Sequence, residues 1–491
     1  MKKCLTAIAS LAVAFGASLA SAQELGGEAW VGLDAFRSLE QRVVEAESEL
    51  ASLKADQLER DARPASLSLD AADVADAPAL TPKAPEPPKT TFPNIKMSGV
   101  FQVDTVYFNQ DATSLTEFGR IQDGTDFRRA RLAANGSVTE TVNYFMQMDF
   151  AFPGHPTFTD LWIESTKMPV LGTVRIGQWK QPFSLEVVSS FRYTTFMERS
   201  LVFIPFTPFR HPGIGFYDNS ENLKHTWAAS YFRTGQDQFG NTISTDGGHG
   251  TAERITWLPY YDEPSGGRYY THLGLGHFLN VPPRNTVNFR TIPEIFVGEY
   301  GSSGATNPVG TSGLAIPNVL NGTPFFVATG ALTNVNAYNV IGTELLWVNG
   351  PLSLQSEMMV NFVSLTGGNT AVFPGGYAQV GYFLTGEHRP YNRVAGAIDR
   401  IIPFEDFFRV GTRNGNRTGK GAWEVAARAS FIDLNDQGIL GGRLVDTTLG
   451  VNWYMNPNSK LVFNYINASL DSPTFGNSGT NIFGMRAQVD F

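Results

Sequence analysis

The last eleven residues, N-I-F-G-M-R-A-Q-V-D-F, put Phe483, Met485, Ala487, Val489 and Phe491 on one face and Gly484, Arg486, Gln488 and Asp490 on the other. That is the two-residue period of an extended strand with one greasy and one wet side. The same alternation runs back to Lys96. It predicts sixteen strands, over 96–109, 126–138, 142–152, 159–167, 173–179, 213–218, 224–233, 252–259, 268–279, 335–348, 352–363, 375–385, 422–432, 444–455, 460–470 and 481–491. Trp423, Val425, Ala427, Ala429 and Phe431 share a face opposite Glu424 and Arg428, and Val451, Trp453 and Met455 lie opposite Asn452. Aromatic residues toward the ends of an apolar face are what a membrane-facing wall requires. The expected fold is all-β: a transmembrane antiparallel barrel of sixteen strands.

Connection lengths test that count, because bacterial barrels join strands by short turns at one rim and longer loops at the other. With the first strand running outward, the short links 139–141, 168–171, 349–351 and 456–459 all fall on the inner side. The long links 110–125, 180–212, 234–251, 280–334 and 471–480 all fall outside. One long link, 386–421, falls on the inner side, so either two strands are missing from the count or this segment narrows or plugs the lumen from below. A barrel this wide cannot be filled by its wall side chains, so its polar interior is expected to hold water.

Composition adds boundaries. After the N-terminus no run of about 18 apolar residues occurs, which excludes a helical membrane protein. The start carries Lys2 and Lys3, an apolar stretch and Ala20-Ser21-Ala22, so residues 1–22 read as a secretory signal peptide. Cys4, the sole cysteine, lies within it, which excludes disulfides and Cys-based metal sites in the exported chain. In 23–60, Phe36, Leu39, Val43, Ala46, Leu50 and Leu53 alternate by three and four, predicting a short α-helical coiled coil or a single amphipathic helix on the barrel rim. Residues 61–93 are a Pro/Ala-rich linker, and 94–491 form the barrel domain.

Several stretches, in order, carry a family likeness: DFRRARL at 126–132, RIGQWKQPFSLE at 175–186, GGYAQVGYFLTGEHRPY at 375–391 and LGVNWYMNPNSKLVFNY at 449–465. Together they resemble the phosphate-selective porin O and P family of outer-membrane channels. The resemblance implies a homotrimer in the bacterial outer membrane, in contact with its lipid, with loops folded into each lumen. It also implies passage of small anions such as phosphate or polyphosphate along inward arginines and a lysine cluster. No lysine cluster aligns here.

Selectivity is set by charges at the narrowest part of a pore. Parity turns Arg129, Arg131, Arg175, Arg428 and Arg486 inward. The 180–212 loop, third on the outer side and too apolar to float in water, adds Lys180, Arg192, Arg199 and Arg210, tempered by Glu186 and Glu198. Guanidinium groups suit oxyanions because their donors are fixed in a fork. Asp104, Asp149, Asp160, Glu164, Glu424 and Asp490 share the inward parity, so the alternative is that these arginines pair with wall carboxylates. The net charge of -9 favours no anion by itself. Two other readings stay open: a general, non-selective porin, and a structural protein whose periplasmic N-terminal stalk binds peptidoglycan. The seven histidines show no catalytic or metal spacing, so no enzyme, cofactor or metal is expected, and no nucleic-acid partner.

Overall fold

A computed structural model of the protein describes residues 91–151, 156–234, 247–298, 322–408, 410–412 and 415–491. The predicted signal peptide and coiled coil, and the linker up to residue 90, lie outside the described residues. The unit Thr90–Phe491 is a closed antiparallel barrel of sixteen strands. In chain order these are β1 (Lys96–Gln110), β2 (Gly124–Ser137), β3 (Val142–Asp149), β4 (Thr157–Met168), β5 (Gly172–Lys180), β6 (Arg210–Asn219), β7 (His225–Thr234) and β8 (Gly248–Tyr261). They continue with β9 (Tyr269–Val281), β10 (Val335–Asn349), β11 (Leu352–Leu365), β12 (Thr370–Phe383), β13 (Ala422–Asp436), β14 (Ile439–Asn456), β15 (Ser459–Ser472) and β16 (Gly476–Asp490). Each predicted segment coincides with one of these strands.

The barrel closes where β16 pairs with β1, from Val100 opposite Asp490 to Gln110 opposite Thr480. Closure leaves no unpaired strand edge, which a bilayer would not tolerate. At the seam Phe491 exchanges both backbone bonds with Gly99, and its ring lies where a Cβ on residue 99 would sit. Glycine is therefore required at 99 by close approach, and the chain's last aromatic is locked against Phe101, at 6.0 Å.

Outward positions are apolar and exposed, among them Phe483, Met485 and Val489 on β16 and Leu449 and Val451 on β14. Inward positions carry the polar set: Asp104, Arg131, Glu344, Glu424, Arg428 and Arg486 are all buried. One expectation fails at the loop rim. The link 471–480 is no long loop, because β15 and β16 extend to Ser472 and back from Gly476. Asn477, Ser478, Gly479 and Thr480 are strand residues beyond the apolar band, where the outer face meets water and alternation in hydropathy has no cause.

The interior also differs from a wide water-filled lumen. The loop 181–209 folds in and brings Phe183, Met197, Leu201, Val202 and Phe206 into a core with inward-facing Val106, Phe278, Tyr338, Phe373, Ile466 and Ile482. The loop between β9 and β10 adds Phe289, Ile295, Val297 and Phe326. The upper barrel thus contains a hydrophobic core of its own, built by loops that bury their apolar side chains in the lumen. Glu357 on β11 fixes the loop's descent, accepting from the backbone N–H of Leu185 and Glu186 at 3.0 and 2.9 Å.

Candidate functional site: an arginine-lined constriction

The loop 181–209 reaches the lower half of the barrel, where it meets the connection between β12 and β13. Ile398 N–H donates to Ser189 Oγ at 3.0 Å, and Arg389 donates to the Tyr193 carbonyl at 3.3 Å. The connection is bolted inside from several sides. Arg389 pairs with Glu424, both fully buried. Tyr270 donates to the Arg389 carbonyl at 3.0 Å, Arg254 donates to the Gly396 carbonyl at 2.7 Å, and Arg400 pairs with Asp490. The long link at the short-turn rim therefore enters the lumen from below. Arg409 and Arg413 of that link lie outside the described residues, and Arg417 is described only as backbone. Replacing Arg389 by methionine leaves Glu424 buried without its guanidinium, a change that costs about 3–5 kcal/mol. The expected result is a released connection and a larger single-channel conductance; an unchanged conductance contradicts the role assigned to it.

The sequence-predicted cations all face the interior, and most are spent on protein partners. Arg131 donates to Asp149 at 2.6 Å, Arg175 to Glu164 at 2.6 Å and Arg210 to Asp160 at 2.9 Å. Arg486 grips Asp104 through two bonds of 2.7 and 2.6 Å, and Glu198 through a third of 2.6 Å. Arg428 donates to Glu294 at 2.7 Å and approaches Glu186 at 3.4 Å. Lys180 gives its ammonium to the carbonyls of Val187, Val188 and Ser189, at 2.6–3.0 Å, at the carbonyl end of the short helix Leu185–Val188. Arg199 donates to the carbonyls of Glu186 and Ser189. All six inward carboxylates singled out from parity hold an arginine, since Glu424 takes Arg389 and Asp490 takes Arg400.

Three guanidinium groups are satisfied only in part: Arg129 donates to Gln102 at 2.7 Å and lies 3.6 Å from Glu198, Arg131 holds Asp149, and Arg192 approaches Asp490 at 3.7 Å. Arg129, Arg131 and Arg192 lie over the single ring of Phe191, at 4.5, 4.8 and 5.7 Å from its centroid. Arg129 Nε, Arg131 Nη1, and Arg192 Nε and Nη2 are buried and meet no hydrogen-bond partner in the protein. The ring spaces like charges that would otherwise repel, through its negative π face.

Parity missed a neighbour. A bulge between the Gln102–Arg129 and Val103–Phe127 pairs inserts one extra residue into β2, so Arg128 turns inward beside Arg129. Arg128 takes Glu198 through two bonds of 2.8 and 3.0 Å. Glu294 and Phe191 carry no sequence signal as site residues: Glu294 is one of two glutamates in the long β9–β10 loop, and Phe191 is one apolar residue among many in its loop. Burial pushes the Glu198 carboxyl up, but the attraction of Arg128, Arg129 and Arg486 outweighs it and holds the group well below its ordinary range. A depressed carboxylate stabilises the fold above its unfolded value, and that contribution is lost only as pH falls through the folded value. Glu198→Gln is therefore expected to raise the anion-to-cation permeability ratio at pH 7. The difference from the parent protein should persist through about pH 4.5, where an ordinary glutamate is already half protonated; convergence by pH 5 contradicts this assignment.

Side-chain exposure is uneven around the lumen. Arg175, Arg128 and Arg192 keep 23, 18 and 18 % exposure, whereas Arg428, Glu294, Arg389 and Glu424 keep at most 1 %. Inward Asn143, Phe145, Trp162 and Tyr217 are likewise half-buried. Accessible interior surface follows the β2–β6 wall, while the β10–β14 wall is sealed by loops.

An apolar-walled closed barrel with a charged interior and an inward-folded loop is a transmembrane channel of the porin class. The chain belongs to the phosphate-selective porin O and P family, which it matches over residues 95–491. It is 23% identical over 421 residues to Porin O of Pseudomonas aeruginosa, covering 81% of this chain and 88% of that protein. It is 24% identical over 380 residues to an uncharacterized protein of Caulobacter vibrioides, covering 75% of this chain and 68% of that one. Among solved structures, an anion-selective porin from Comamonas acidovorans gives a TM-score of 0.47 at 12% identity, covering 80% of this chain and 99% of the other. OmpT of Vibrio cholerae, in trimer form, gives 0.47 at 9% identity, covering 81% and 99%. Family and fold are those of a bacterial outer-membrane channel, whose short-turn rim faces the periplasm. Among the described residues no cluster of metal-ligating side chains occurs.

Proposed function

We propose that the protein passes small oxyanions of the phosphate class through a passage between the 181–209 loop and the β2–β6 wall. The observation that carries this reading is the trio of Arg129, Arg131 and Arg192 around Phe191, four of whose buried nitrogens make no hydrogen bond within the protein even though Glu198, Asp149 and Asp490 lie beside them. An oxyanion offers acceptors to several such donors at once, while the carboxylates of Glu198, Asp149 and Asp490 offset part of the trio's charge. Arg175, the most exposed of the inward arginines on this wall, would hand the ion toward the periplasmic side. Phosphate added to a channel carrying chloride should therefore lower the current by competing for the trio. Undiminished chloride current with phosphate present would count against the site.

A general, non-selective porin is the second reading, favoured by the pairing of all six inward carboxylates with arginine, which neutralises much of the wall. It predicts neither phosphate block nor a strong preference between ions.

The assembly we propose is a homotrimer with its N-terminal stalk in the periplasm, where the coiled coil of 36–53 would join three chains and the stalk would bind peptidoglycan. Removing residues 23–93 should leave conductance intact and abolish wall association; retained wall association would exclude the stalk as the tether.

A further inference from the structure

The connection between β12 and β13 does not stay inside the barrel. Ile401 is buried with Phe383, Ala422 and Tyr454, and there the chain leaves the lumen. The next large apolar side chains are among the most exposed in the protein: Ile402 at 64 %, Phe404 at 63 % and Phe408 at 64 %, with Phe407 at 42 %. Phe407 explains where the segment goes. Its N–H donates to the Met455 carbonyl at 2.6 Å, and its ring meets Trp453 edge-on at 4.6 Å. Trp453 in turn stacks on Trp423 at 5.1 Å and 16°. Both tryptophans belong to the outward, lipid-facing side of β13 and β14 at their periplasmic ends, and both donate to the Lys420 carbonyl. Phe408 N–H is held by the Gly419 carbonyl at 3.2 Å, so the backbone is tied beneath the rim.

Exposed clusters of this kind mark an interaction surface, because water would leave each phenyl ring solvated at a cost of about 25 cal/mol per Å² of apolar area. Phe407, with Phe408 against it at 6.0 Å, joins the segment to the tryptophan pair, and that pair belongs to the bilayer-facing wall; Phe404 is held at the rim by its N–H to Glu387 at 3.0 Å, with Arg268 over its ring at 6.0 Å. Leu384, at 61 % exposure, extends this surface along the foot of β12. Glu405 and Asp406 are exposed between the rings and would keep the segment out of the hydrocarbon. Rings with charged neighbours at a barrel's end are the composition that settles at the headgroup level.

We propose that the segment Ile402–Phe408 is a lipid anchor that inserts Ile402, Phe404 and Phe408 into the periplasmic leaflet's phospholipid headgroup region. The connection would then be a strap with one end bolted in the lumen by Arg389 and the other fixed in the membrane. The proposal needs only the barrel's place in a bilayer and is independent of the solute.

The test uses the full chain with Cys4→Ser, since Cys4 is the sole cysteine, and single substitutions Phe404→Cys and Phe408→Cys carrying an environment-sensitive fluorophore in phospholipid nanodiscs. Leu449→Cys on the outward wall is the lipid reference, and Glu140→Cys on the exposed β2–β3 turn, far from the connection in sequence and paired only with exposed Lys167 among the described residues, is the water reference. Spin-labelled phospholipid should quench the labels at 404 and 408 roughly half as strongly as at 449, or more, and about threefold more than at 140. Quenching by aqueous iodide at the level of 140 would overturn the proposal by placing the segment in water. Protection from both quenchers would overturn it too, by showing that protein covers the patch: a second copy or the N-terminal segment.

Discussion

Arg486→Met is expected to weaken the barrel and widen its passage together. Arg486 is fully buried and joins three elements at the closing seam: Asp104 on β1, Glu198 and the Met197 carbonyl on the inward loop, and its own β16. Methionine fills similar volume but carries no charge, so among the described residues Asp104 loses its one ion-pair partner and Glu198 keeps Arg128 and the more distant Arg129 at 3.6 Å. Removing one partner from a buried pair costs about 3–5 kcal/mol, because the other charge stays desolvated. The loop loses its anchor to the seam, and single-channel conductance should rise while thermal unfolding, followed by heat-modified mobility, shifts downward. A variant with parental conductance and parental unfolding would mean that Arg486 does not hold the loop.

The second large effect concerns selectivity. Arg129→Gln with Arg192→Gln removes two of the three guanidinium groups around Phe191 and leaves Arg131 to satisfy Asp149, which protects the fold. At an effective dielectric of about 20, a charge about 6 Å from the ion's path contributes about 2–3 kcal/mol, so the pair should lower the anion-to-cation permeability ratio at least about tenfold. Phosphate block should disappear in the same variant. The neighbouring Glu198, freed from Arg129, would tip the residual field toward cations.

Much of the barrel was legible because a bilayer imposes a strict rule on its outer wall: every second residue from Phe483 to Phe491 must be apolar or small. The same rule explains where reading stopped. Asn477 to Thr480 lie beyond the apolar band, so nothing in their hydropathy distinguishes strand from loop. Ile482, Ile466 and Phe373 point inward yet are apolar, because loop residues such as Met197 and Phe206 cover them, and loop positions follow no period. Arg128 was hidden by a bulge, which shifts parity by one without leaving a mark in composition. The inward direction of Arg129, Arg131, Arg175, Arg428 and Arg486 could be read from parity; their separation into bonded and unbonded nitrogens could not, since it depends on which loop carbonyl or carboxylate arrives opposite each one.

The central claim, that anions pass along the Arg129–Arg131–Arg192 cluster, is tested most directly by the reversal potential of the purified protein in a planar bilayer across a KCl gradient. The account predicts a potential of the sign set by chloride, moving toward zero in Arg129→Gln with Arg192→Gln. A potential of the sign set by potassium in the parent protein would contradict it.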